Sequence, residues 1–161
     1  MELEPQVAPP PRPPLGVFSA KCDEKGRMKL PAEYLTYLKS LKVDRVWITT
    51  MDRKLARIYP DPVWEFNLNL FENAGDDSEA AEDVAFISNL YGGYSEIDEV
   101  GRILFPTELR RLLEFEKQTV WLDYYRGRFN AFGKNIYDER FNRASVNLPD
   151  KVKLLEKKGL K

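Results

Sequence analysis

The chain has 161 residues, 43% of them hydrophobic, with 25 Lys and Arg against 26 Asp and Glu for a net charge of −1. It has no histidine and one cysteine, which excludes histidine acid–base catalysis, histidine metal sites and an internal disulfide. The apolar share suits one medium domain or two small interlocked ones, and no run reaches the roughly 18 apolar residues of a membrane span.

Residues 1–14 read MELEPQVAPPPRPP, and such proline-rich sequence favours extended, poorly ordered chain. From 15 to 70 the pattern changes. Val17 to Cys22 reads as a strand, with Cys22 a small strand residue, and a turn then leads into Arg27–Leu30. There Met28 and Leu30 alternate with basic residues, the period of a half-buried strand. Pro31 suits a first helical position and Glu33 the positive end of the helix dipole. Tyr34, Leu35, Leu38 and Leu41 then form an apolar helical stripe. Val46–Thr50 and Leu55–Tyr59 are strand-like, and Asp61-Pro62 opens a helix over Val63–Phe71.

Residues 71–93 hold an acidic linker and a helix, Ser78–Leu90, capped by Ser78 and stopped by Gly92-Gly93. Residues 94–145 repeat the element order of 15–70. The tail, 146–161, is basic and suits a short, fraying helix in which Leu148, Val152, Leu154 and Leu155 are apolar. The amino terminus lacks a basic-then-apolar leader, so the expected compartment is the cytoplasm.

The repetition is residue by residue. Asp23, Glu24, Gly26, Arg27, Pro31 and Glu33 return in register, 75 positions on, as Asp98, Glu99, Gly101, Arg102, Pro106 and Glu108. Val46-Trp47-Ile48 is answered by Val120-Trp121-Leu122 at an offset of 74, and each copy closes on an aromatic stretch around Trp64 or Tyr137. Two copies cannot form a solenoid but can close one pseudo-symmetric core.

The motif has its own chemistry. Gly26 and Gly101 suit the positive φ of a tight hairpin, and Asp23 and Asp98 can accept hydrogen bonds from turn amides. Each arginine brings a planar fork of donors fitted to a phosphate or to the O6/N7 edge of guanine. Paired hairpins would present Lys25, Arg27 and Lys29 alongside Arg102. Spacing alone leaves two roles open for Arg27 and Arg102: DNA contact, or a bridge to Asp23 and Asp98 that only holds the turn. Trp47, Trp121, Tyr124 and Tyr125 are read as core, and Arg110 and Arg111 lie on the helix after the second motif. The net charge does not forbid nucleic acid. Glu72, Asp76, Asp77, Glu79, Glu82 and Asp83 are concentrated in one stretch, and without them 25 basic residues face 20 acidic ones.

Taken together, Asp23, Lys25, Gly26, Arg27, Met28, Leu30 and Pro31, with Asp98, Gly101, Arg102, Ile103, Phe105, Pro106, Leu109 and Arg110, resemble the signatures of the MraZ family. The resemblance implies an α+β, mostly β fold: two tandem AbrB-like swapped-hairpin repeats interlocked as a double barrel with peripheral helices. It implies a ring-like homo-oligomer, nucleoid-associated, on G-rich direct repeats in double-stranded promoter DNA. The implied role is regulation, usually repression, of the division and cell-wall gene cluster. Lys25, Arg27 and Arg102 are then DNA-contacting positions, and Lys29 and Arg110 are read as DNA-binding with them. Asp23, Gly26, Pro31, Asp98, Gly101 and Pro106 are structural. No cofactor, metal or small-molecule substrate is implied, and no catalytic constellation is present. Three departures stand out: Leu35 where the family usually has arginine, a proline-rich extension where the family's first copy usually starts almost at the initiator methionine, and an acidic stretch before the second motif where the family is usually basic and longer. The alternative is an antitoxin-like or protein-interaction module of the same fold.

Overall fold

The computed structural model describes Leu3 and residues 10–161. Among the described residues the strands are β1 (Phe18–Lys21), β2 (Arg27–Lys29), β3 (Arg45–Thr49), β4 (Ala56–Pro60), β5 (Gly93–Glu96), β6 (Arg102–Leu104), β7 (Thr119–Tyr125) and β8 (Arg128–Phe132). The α-helices among them are α1 (Ala32–Ser40), α2 (Asp61–Glu72), α3 (Ser78–Tyr91), α4 (Thr107–Leu112), α5 (Lys134–Ser145) and α6 (Leu148–Glu156). The fold is α+β. Most of the proline-rich segment lies outside the described residues; within it, 10–14 have no helix or strand, and Pro11, Arg12 and Pro14 face Glu33, Thr36 and Tyr37 of α1.

Strand order follows from the duplication. The large sheet runs β1-β7-β8-β4-β3-β5 and the small one β2-β6, with antiparallel neighbours throughout. Exchanging β1 with β5, β2 with β6, β3 with β7 and β4 with β8 returns the same order reversed. A pseudo-two-fold therefore passes between β4 and β8 and between β2 and β6. The first strand of each repeat pairs in the other repeat's half: β1 on β7, and β5 on β3. The expected hairpin between β1 and β2 is reduced to the Cys22↔Met28 bridge and the Asp23 N–H donating to Arg27 O. The tight turn pairs only its neighbouring residues, after which both strands satisfy their backbone groups across the repeat boundary.

Period-2 alternation sets the core. Val46, Ile48, Ile58, Val120, Leu122 and Phe129 turn inward and are fully buried, together with Met28 and Ile103 of the small sheet and Leu30 and Phe105 directly after its strands. Trp47 and Trp121 point to the other side, where helices cover them: Trp47 stacks on Trp64 of α2 at 5.1 Å, and Trp121 packs at a tilt against Tyr137 of α5 at 5.0 Å. The core reading of Tyr124 fits its packing on Tyr37 and Phe129, whereas Tyr125 is half exposed at the β7–β8 hairpin.

Helix ends differ from expectation at two places. Pro31 and Pro106 sit just before α1 and α4 with extended ψ of 148° and 143°, not inside the first turn. Their missing N–H costs nothing there, because helix entry needs no donor at that position. Ser78 is the first residue of α3 and caps nothing; a 3₁₀ turn, Gly75–Asp77, delivers the chain into the helix with Asp77 at the cap position and no side-chain cap. Among the described residues, no helix is long and apolar enough to cross a membrane. Cys22 is fully buried, and burial beside Asp23 pushes its thiol up to about 11, leaving it a packing residue.

Candidate nucleic-acid interface

The two motif turns are built alike. Gly26 and Gly101 hold φ of 84° and 87°, open to glycine at no steric cost. Asp23 Oδ1 accepts from the backbone N–H groups of Lys25 and Arg27, each at 2.9 Å; Asp98 Oδ1 accepts from Val100 and Arg102 at 3.0 and 2.8 Å. Both carboxyls are held below their ordinary range, first by the backbone N–H of the motif arginine. The turns also lock one another. Leu30 N–H donates to Gly101 O at 3.0 Å, and Phe105 N–H to Gly26 O at 2.9 Å.

The second carboxylate oxygen orients the arginine. Arg27 Nε donates to Asp23 Oδ2 at 3.0 Å and Arg102 Nε to Asp98 Oδ2 at 2.8 Å. A half-exposed pair of this kind adds little stability; its main effect is on direction. Only Nε is used. Among the described residues, neither arginine's terminal amino groups have a hydrogen-bond partner. The bridging role is thus present in the fold, and it leaves the outer edge of each fork available.

Register places these forks on one surface. In the β2–β6 pair, Arg27 lies opposite Leu104, Met28 opposite Ile103 and Lys29 opposite Arg102. Met28 and Ile103 point into the core, so Arg27, Lys29, Arg102 and Leu104 share the outer face. Lys25 is exposed in the first turn. The surface is unequal: Val100 and Leu104 take the places that Lys25 and Lys29 hold in the first copy, and both are about half exposed. Sequence reasoning passed over these two apolar residues, although the motif alignment itself places them there.

Arg110 differs from the other cations. Its side chain is only 16% exposed; Nη1 donates to Lys25 O at 2.6 Å, and Glu116 Oε1 lies 3.4 Å from Nε, a charge contact without hydrogen-bond geometry. The chain packs on Gly26, where an added Cβ would collide with Arg110 Nη1 and Cδ. Leu35 does the same beneath Gly101. Each helix after a motif therefore buttresses the other repeat's turn, by an arginine on one side and a leucine on the other. Arg111 is exposed beside it.

Fold and site together define an internally duplicated protein whose interlocked repeats present two arginine-bearing turns on one surface. No family model matches the chain. It is 34% identical over 108 residues to the transcriptional regulator MraZ of Nitrosospira multiformis, covering 65% of this chain and 71% of that one. It is 34% identical over 95 residues to the MraZ of Acidobacterium capsulatum, where the match spans 65% of the relative's length. It is 25% identical over 146 residues to that of Neisseria meningitidis, covering 85% of this chain and 91% of the relative. The chain belongs to the MraZ family.

Proposed function

We propose that this protein is a sequence-specific DNA-binding transcriptional regulator. Its β2–β6 face enters the major groove and Arg27 and Arg102 carry the recognition. The shared outer face of those two arginines, each aimed by its own aspartate, is the observation that carries this reading. Relatives named as transcriptional regulators support it. A two-stranded ribbon fits the major groove, and a guanidinium fork can bond O6 and N7 of guanine at once. Lys25 and Lys29 supply phosphate contacts next to Arg27, whereas Val100 and Leu104 offer apolar surface next to Arg102. Arg110 acts from beneath, holding the Lys25 carbonyl and hence the first turn.

Each subunit brings few cations, and the turn glutamates Glu24 and Glu99 offset part of their charge. Useful affinity then comes from several subunits on successive direct repeats, so that later contacts form at high effective concentration. The family resemblance supports G-rich repeats before the division and cell-wall genes as the target, with repression as the form of regulation. The test is fluorescence anisotropy with duplexes holding several G-rich repeats, one repeat, or a scrambled sequence of equal composition. Tight binding is expected only with several repeats and should weaken steeply with salt. Equal affinity for the scrambled duplex would reject sequence-specific recognition.

A further inference from the structure

The two repeats treat their outward-facing tryptophans differently. Trp47 is enclosed: Trp64 of α2 stacks on it, and the ring of Tyr94 from β5 meets it edge-on at 4.9 Å. Arg45 Cζ sits 3.9 Å from the centre of the Tyr94 ring. Asp61, the first residue of α2, holds that guanidinium at 2.9 Å. The Trp47 indole N–H also donates to Ser88 Oγ of α3 at 3.4 Å. Ring, cation and carboxylate form one cluster against the sheet.

The pseudo-two-fold identifies what stands in each of these places in the second repeat. Trp121 lies opposite Ser19 in the β7–β1 pair, as Trp47 lies opposite Tyr94 in the β3–β5 pair. Thr119 begins β7 where Arg45 begins β3, and Lys134 begins α5 where Asp61 begins α2. The ring and its cation are therefore gone, and the carboxylate has become an ammonium. Tyr137 covers Trp121 as Trp64 covers Trp47, but among the described residues the Trp121 indole N–H has no protein acceptor. In place of the cluster is a cleft of about 640 Å³, a size common for small-molecule sites. Trp121, Thr119 and Lys134 border it, together with Leu113 after α4 and Arg53 and Lys54 of the β3–β4 loop.

Charge decides what kind of ligand suits it. Lys134 pairs with Asp138 and Lys54 with Glu139, but all four side chains are about half exposed or more, so these pairs are weak and exchange readily. Arg53 makes no ion pair among the described residues. Glu114 is the sole carboxylate among the lining residues, against three cations.

We propose that this cleft binds a small aromatic carboxylate. Its ring takes the edge-on place against Trp121 that Tyr94 takes against Trp47, a favoured aromatic geometry. Its carboxylate pairs with Lys134, which reverses the charges of the Arg45–Asp61 pair in the first repeat and gains a charge-assisted hydrogen bond. The site uses none of Lys25, Arg27, Lys29 or Arg102.

The experiment is isothermal titration calorimetry of the full chain without DNA. The probes are para-hydroxyphenylacetate, which joins a tyrosine-like ring to a carboxylate, and tyramine, which joins the same ring to an ammonium. The acid should bind at least ~10-fold tighter than the amine, the worth of one charge-assisted bond. Ser19→Tyr supplies the ring that Tyr94 supplies in the first repeat, and it should abolish binding of the acid. Lys134→Asp recreates Asp61 and should remove the acid's advantage over the amine. Both sites are exposed, and circular dichroism checks folding. No uptake of the acid by the parent, equal binding of the amine, or parent-like binding by either variant would overturn the proposal. DNA is absent from every titration, so failure here and failure of DNA recognition appear in different assays.

Discussion

Replacing Arg27 and Arg102 together by alanine is expected to abolish specific DNA binding while the protein stays folded. A well-oriented guanidinium on a guanine edge is worth about 1–3 kcal/mol of discrimination. Two such losses per subunit weaken binding by at least ~30-fold, at tenfold per ~1.4 kcal/mol, and the loss multiplies over the subunits engaged. The fold has little reason to respond. Both side chains are half exposed, and the aspartates keep their bonds to the turn amides when the forks are gone. The melting midpoint should move by no more than ~4 °C. Arg27→Lys is a useful companion: it keeps the charge and loses the fork, so it separates phosphate attraction from base recognition. Anisotropy titration of the double variant reads the result. Unchanged affinity would remove both residues from the interface.

Phe105→Ala is expected to have the largest effect on stability. Phe105 is fully buried, follows β6 directly, and meets the ring of Phe115 edge-on at 5.0 Å. Its N–H donates to Gly26 O, so the ring anchors the point where the second motif ties down the first turn. Truncating a buried phenylalanine typically costs about 3–5 kcal/mol, from lost burial and the cavity left behind. Against a total of about 5–15 kcal/mol, such a loss threatens the folded state. Urea unfolding should show a much lower midpoint at an unchanged slope. A midpoint within error of the parent would mean that the ring is not part of the packed core. Leu30, its counterpart in the first copy, provides the parallel measurement.

Much of this arrangement was legible because it is local. Doubling of the Asp-Gly-Arg-Pro pattern announced two copies, and the turn chemistry needed only residues within four positions of each other. Alternation told which side of β2 and β6 turns inward, and so which face carries Arg27, Lys29 and Arg102. Alternation cannot name a strand's partner. From the turn alone β1 belonged beside β2, and only the family resemblance supplied the exchange that pairs β1 with β7. Arg110 on Gly26 and Leu35 on Gly101 were out of reach for the same reason, since each contact crosses between repeats. The helix around Tyr137 was legible only through its likeness to the one around Trp64. Leu35, where the resemblance leads one to expect arginine, gains a physical setting from the fold: it makes the support beneath the Gly101 turn apolar.

The most direct measurement asks which surface touches DNA. A photoreactive amino acid placed at Leu104, between the two forks, should crosslink efficiently to a duplex carrying the G-rich repeats. The same group at Phe66, on the acidic helical hairpin, should give no adduct above background. Crosslinking from Phe66 with none from Leu104 would contradict the placement of DNA on the β2–β6 face.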